Sequence, residues 1–247
     1  MSSPALSRLV LALLCAWGSI AFGEVKWQVG KRVVTARGAH LHGQEHETSC
    51  GVANLRMHLH ALHDVDVPEA ELRRELGARN WWTPTSGGMF AQNIAAFLRV
   101  KNVTATYEEP GSDAVVDRLE LGTRQQGPAT VLVRSGSARH FVLVAGVERD
   151  EERDERVLLV MDPSPMHHGG AWTWSAPAFL TAYLGAIVTT VGKPFALEDE
   201  EGRLVLPPPD LGAAARRSLD RMLRDPTMAA SLARAQALRD QALRGSP

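Results

Sequence analysis

Apolar residues recur at helical spacing through Val52, Leu55, Leu59 and Leu62, with Ala53, Met57 and Ala61 widening the stripe. This pattern predicts an amphipathic helix over 51–62. Thr48 and Ser49 stand in front of it as capping residues. Pro68 to Leu76 predicts a second, short helix with Pro at its start, and Phe90, Ile94, Phe97 and Leu98 mark a third over 89–100. Trp81 to Gly88 reads as a loop, Val103 to Tyr107 as a short strand and Asp113 to Leu121 as a helix. From Pro128 the period changes. Residues 129–133, 140–147, 157–161 and 186–191 are β-rich runs separated by polar or glycine-containing loops, with a helix over 176–184 between the last two. Helices first and antiparallel strands later predict an α+β domain. Pro207-Pro208-Pro209 then marks a boundary, followed by Ala-, Arg- and Leu-rich helices at 213–223 and 227–243.

The first 23 residues have a different character. Arg8 supplies a positive start, Val10 to Phe22 is apolar but short for a membrane span, and Ala21 and Gly23 are small where a signal peptidase reads. The expectation is a signal peptide over 1–23, a domain over 24–195, and a linker with a C-terminal helical extension over 196–247. The protein would then be periplasmic or secreted and bacterial, with no integral span after signal removal; an uncleaved anchor is the alternative. The formal net charge is −1 with both signs interspersed, which argues against a nucleic-acid partner.

Removal of the signal would take Cys15 with it and leave Cys50 as the single cysteine. A lone thiol cannot close an intramolecular disulfide. At a helix N-terminus it is the kind that ionises readily and attacks carbonyls. Such chemistry needs a base, a group that orients the base, and donors for the oxyanion. His140 begins the apolar run Phe141-Val142-Leu143-Val144, and Asp162 ends the run Leu158-Leu159-Val160-Met161. The charged connector from Glu148 to Arg156 reads as a solvated turn. A hairpin centred near residue 151 would set His140 opposite Asp162, with Cβ atoms about 5 Å apart. Gln44, six residues before Cys50, could donate its side-chain amide to an oxyanion beside the Cys50 N–H.

Gln44, the Cys50-Gly51 pair opening a helix, His140-Phe141 on a strand and Asp162-Pro163 after another resemble the papain-like peptidases that process bacteriocin precursors, the double-glycine leader peptidases. The resemblance spans residues 38–192, including the Gly87-Gly88-Met89 turn and the segment from Trp174 to Leu184. It implies a papain-like fold, with Cys50 as nucleophile, His140 as base, Asp162 as orienter and Gln44 in the oxyanion hole. Val52 and Asn54 stand where the family often has Pro and a small residue, and the His-to-Asp connector is longer than usual. The family's bacteriocin-maturing members are fused to a membrane transporter, whereas this chain reads as free-standing and exported.

The function expected is thiol-peptidase hydrolysis of an exported peptide or protein, without cofactor, in association with a secretion or export system. Acyl transfer through the same triad, in the manner of transglutaminase-like or phytochelatin-synthase-like enzymes, is the alternative. A non-catalytic peptide-binding module is another. Gly51, Trp82, Gly87 and Gly88 are candidate substrate-groove residues, since aromatics beside a glycine turn admit a peptide backbone closely. Histidines are abundant at 40, 42, 46, 58, 60, 63, 167 and 168. His58 and His60 fall on different helix faces and no H-E-x-x-H pattern occurs, so no metal site is predicted.

Overall fold

A computed structural model describes residues 23–84, 88–164 and 170–205. The expected signal segment up to Phe22, the Gly87 groove position, His167, His168 and the C-terminal helices lie outside the described residues.

The helical first half forms as its periodicity predicts. Helix α1 spans Cys50–His63, α2 Glu69–Ala78 and α3 Ala91–Val100. Strand β3 (Thr104–Glu108) and helix α4 (Val115–Gln125) follow. The second half supplies β4 (Ala129–Ser135), β5 (Ala138–Asp150), β6 (Glu155–Asp162), β7 (Gly170–Ser175), α5 (Ala176–Ala182) and β8 (Tyr183–Val191). All pairings of the resulting six-stranded sheet are antiparallel, in the order β3-β8-β4-β5-β6-β7. The architecture is α+β, as expected.

The central strands read as near-continuous apolar runs because both faces are covered. Val131, Val133, Val142, Val144, Leu158 and Val160 pack with α4 and α5 through Val115, Leu119 and Phe179. Leu132, Phe141, Ala186 and Val188 pack with α1 to α3 through Val52, Leu55, Leu59, Ile94 and Phe97. Leu143, Leu159 and Met161 pack with a second, smaller sheet.

That smaller sheet lies outside the elements predicted from periodicity. Strands β1 (Glu24–Val29) and β2 (Arg32–Arg37) form a hairpin, and β9 (Leu197–Glu198) pairs with β2. Val25, Trp27 and Val29 alternate inward, and Trp27 Nε1 donates to Val160 O at 2.9 Å. Leu197 is buried in the same cluster, so the described domain runs past the expected boundary at 195.

The connector between β5 and β6 is not the long solvated turn its charge suggests. The strands continue to the pair Asp150↔Glu155, and Glu148 and Asp150 are buried. Only 151–154 turn, with Asp150 Oδ1 accepting from the Glu152 N–H at 3.0 Å. Among the described residues no helix is long and apolar enough to cross a membrane.

Candidate active site

Cys50 is the first residue of α1 and half-buried. The turn before it is tied to itself and to its neighbours. The Gln44 N–H donates to Pro163 O at 2.8 Å, and the Glu45 N–H donates to Oε2 of the fully buried Glu69 at 2.9 Å. Ser49 Oγ accepts from the His46 N–H at 3.0 Å and donates to His46 O at 2.7 Å. Ser49 is therefore at the N-cap position but its hydroxyl does not cap the helix, contrary to expectation. No side chain caps α1 and no acidic residue sits in its first turn, so no carboxylate of the helix itself competes for its positive end, where Cys50 sits.

His140 reaches the thiol from β5. The tight turn at Gly136, whose φ of +59° suits glycine, joins Ser135 to Ala138 and starts β5 two residues before His140. A side-chain hydrogen bond links His140 to Cys50. On its other side His140 Nε2 lies 2.7 Å from Asp162 Oδ1, which also accepts from the Ser164 N–H at 2.8 Å. Both His140 and Asp162 are buried.

A register shift makes this contact possible. Near the turn the β5/β6 pairing follows Gly146↔Leu159, whereas beyond Ala145 it follows Val144↔Val160 and Leu143↔Met161. Continued by one residue, the shifted register sets Asp162 across from Val142, two positions from His140 and on its face. Without the extra residue Asp162 would lie across from Leu143, an odd offset that turns the two side chains to opposite faces. His140 and Asp162 are thus diagonal neighbours and not directly opposite, because the hairpin is centred beyond residue 151 and carries a bulge.

Burial pushes the His140 pKa down, but the hydrogen bonds and charges of Asp162 and Cys50 outweigh it and raise it to about 9. The imidazole is therefore held as an imidazolium at neutral pH, in contact with the sulfur.

Asn54, one turn after Cys50, was not among the site residues predicted. It is fully buried, and its Nδ2 donates to Cys50 O at 2.9 Å and to Phe141 O at 3.1 Å. Its Oδ1 accepts from Thr130 Oγ1 at 3.2 Å, and His58 Nε2 lies 2.9 Å from the same hydroxyl. The donors assign the direction: His58 Nε2–H to Thr130, Thr130 O–H to Asn54, Asn54 N–H to the two carbonyls. Burial drives the His58 pKa down to about 3, so this histidine is neutral. The chain of bonds bolts the nucleophile's helix to the strands that carry His140. A polar residue inside an otherwise apolar helix face, four residues after the cysteine, is the sequence signal for it.

Cys50, His140 and Gln44 open on one cleft of about 1080 Å³. Its walls include Met89, Phe90, Tyr107, Leu132 and Leu184, with Glu45, Glu47, Glu109 and Arg139 also present. Phe90 is 69% exposed at this cleft, a large apolar surface facing solvent. The Gln44 amide is turned away from an oxyanion role in this state: its Nε2 donates to His46 O at 3.0 Å and Glu47 O at 3.2 Å.

Of the expected groove residues, Gly88 lines the cleft, with φ +101° and no room for a Cβ, which would come 2.8 Å from Thr48 O. Gly51 and Trp82 do not line it. Gly51 is buried where a Cβ would approach Met89 Cγ at 2.6 Å, so it allows α1 to pack closely. Trp82 is buried with its Nε1 donating to Thr48 O at 3.3 Å, and it supports the loop from below. Trp172 and Trp174 pack against the α4/α5 side of the sheet.

No protein-family model matches the chain, and no curated protein matches it in sequence. In fold the chain is similar to a number of solved structures, three of which follow. One is a double glycine motif protease from an AMS/PCAT transporter in complex with its leader peptide, at 18% identity and TM-score 0.46, covering 68% of this chain and 98% of that one. Another is the peptidase domain of Streptococcus ComA, a bi-functional ABC transporter of a quorum sensing pathway, at 18% identity and TM-score 0.49, covering 63% and 99%. The third is UfSP from C. elegans, at 15% identity and TM-score 0.40, covering 74% and 36%.

Proposed function

We propose that this protein is a papain-like cysteine peptidase that hydrolyses a peptide bond through Cys50, His140 and Asp162. The observation that carries the reading is the chain of contacts from Cys50 to His140 and from His140 Nε2 to Asp162 Oδ1 at 2.7 Å, at the wall of an open cleft. The Cys50 thiolate attacks the scissile carbonyl carbon, and the carbonyl oxygen takes the negative charge. The Cys50 N–H, at the uncapped start of α1, is the first donor to that oxygen. Gln44 supplies the second after exchanging a loop carbonyl for the oxyanion. His140 then gives its proton to the leaving amine and a thioester remains. His140, now neutral, accepts a proton from water as the water attacks the thioester. The carboxylic acid leaves and the thiolate–imidazolium pair is restored.

The apolar wall at Met89, Phe90 and Leu184 favours a peptide with apolar side chains near the cleaved bond. An exported peptide or protein is the substrate class in keeping with the apolar segment at 10–22, read as an export signal.

The test is incubation of the protein with a pool of peptides in ¹⁸O-labelled water, read by mass spectrometry. The expected result is new C-termini carrying one ¹⁸O, formed by the wild type and absent with Cys50→Ala. Products joined to an added amine in place of ¹⁸O would replace hydrolysis by acyl transfer. No cleavage, together with a Cys50 that iodoacetamide does not label, would overturn the enzyme reading.

A further inference from the structure

Three histidines gather beside α1 without contributing to the cleft. His42 Nε2 lies 3.0 Å from His60 Nδ1, and the His40 and His60 rings stack with centroids 3.5 Å apart. Asp66 Oδ1 lies 3.7 Å from His42 Nε2. The ligand atoms of His42, His60 and Asp66 all fall within 4.8 Å of one another. None of the three lines the cleft that holds Cys50.

We propose that His42, His60 and Asp66 form a binding site for a divalent transition metal of the zinc type. With metal–ligand bonds of about 2.0–2.1 Å, a tetrahedral zinc site has ligand–ligand edges of about 3.3 Å. Two of the three separations, 3.0 and 3.7 Å, bracket that edge, and the third, between His60 and Asp66, is within 4.8 Å. Two imidazole nitrogens and one carboxylate oxygen suit zinc, cobalt or nickel, and are a poor match for magnesium or calcium, which prefer all-oxygen sites. Three protein ligands leave a fourth position for water.

The supporting contacts fit a ligand set. Arg56 Nε donates to Asp66 Oδ1 at 2.7 Å and its Nη2 donates to Oδ2 at 3.0 Å, which fixes the carboxylate beside the two rings. Each carboxylate oxygen has a second lone pair, so Oδ1 can bind a cation while it accepts from Arg56. His42 is mostly buried and His60 is on the α1 helix. The three ligands come from the segment before Gln44, from α1 and from the segment after it. A bound ion would therefore tie the loop that carries Gln44 to the helix that carries Cys50, a structural clamp beside the proposed peptidase site and independent of its chemistry.

The competing account of the short His42–His60 contact is a hydrogen bond between neutral rings. Titration of tag-free, chelator-treated protein with Zn²⁺ by calorimetry, and with Co²⁺ by visible absorption, separates the two. The expected result is one ion per chain with four-coordinate cobalt bands, together with a rise in melting temperature on adding Zn²⁺. His42→Gln and His60→Gln should each weaken binding about 100-fold or more, and Cys50→Ala should leave it intact. Should either glutamine variant fail to fold, Asp66→Asn gives the same comparison from the exposed side of the site. Absence of saturable binding, or binding that survives the His42, His60 and Asp66 replacements, would overturn the proposal. Binding lost in Cys50→Ala would place the ion at the catalytic thiol and overturn it equally.

Discussion

Replacing His140 with alanine should lower peptide cleavage by about 10⁴-fold, because the same imidazole activates the sulfur, protonates the leaving amine and accepts the proton of the attacking water. The companion changes at Asp162 make the account specific. Asp162 Oδ1 accepts from both His140 Nε2 and the Ser164 N–H. An asparagine there would keep its carbonyl oxygen in that place, since turning the amide would point N–H at two donors. Asp162→Asn should therefore preserve the orientation of the ring and lose only the charge, whereas Asp162→Ala loses both and should be the more damaging, at about 10²–10⁴-fold. Steady-state kinetics on a cleaved peptide, with circular dichroism to confirm folding, measure the series. An alanine variant as active as the asparagine one would show that Asp162 does not orient His140.

The second large effect is expected at Asn54, a residue that touches no substrate. Its amide satisfies Cys50 O and Phe141 O, and its Oδ1 satisfies the Thr130 hydroxyl, all in the interior. Cys50 O keeps its backbone bond within α1, but Phe141 O and the Thr130 hydroxyl each lose a partner at about 1–3 kcal/mol, so Asn54→Ala should destabilise the fold by about 2 kcal/mol or more. Asn54→Asp keeps the shape but turns a second oxygen toward two carbonyls, and it should be at least as damaging. Urea denaturation of both variants reads this. An Asn54→Asp protein within about 0.5 kcal/mol of the wild type would mean that shape alone, without the hydrogen bonds, holds α1 to β5. Turnover should fall as well, since these bonds set the distance between the helix bearing Cys50 and the strand bearing His140.

Much of this site was legible because its signals are local. The 3.6-residue stripe from Val52 to Leu62 announced α1, and the apolar runs at 140–147 and 157–161 announced the two strands. Cys50, His140 and Asp162 sit at element ends, where a side chain can face a cleft. The bulge at Ala145 was not legible, since one extra residue in a strand leaves the apolar pattern almost unchanged. The β5/β6 turn misled because charge reports exposure on average, yet Glu148 and Asp150 are buried by the neighbouring elements. The β1 strand was legible in principle: Val25, Trp27 and Val29 alternate, but a six-residue run beside an expected signal peptide is a weak signal. Gly51 and Trp82 belong to the packing beneath the loop, and only the tertiary fold separates that role from a place in the groove. The gathering of His42, His60 and Asp66 likewise depends on how two loops fold back on α1, which no helical spacing encodes.

The central claim is that a protonated His140 is held against the sulfur by Asp162. It is tested most directly by following the His140 imidazole through a pH titration by ¹⁵N-edited NMR, in the wild type and in Cys50→Ala. The account predicts an imidazolium that persists to a pKa of about 9 and titrates at distinctly lower pH once the sulfur is gone. A ring that titrates near 6.5 in both proteins would contradict it.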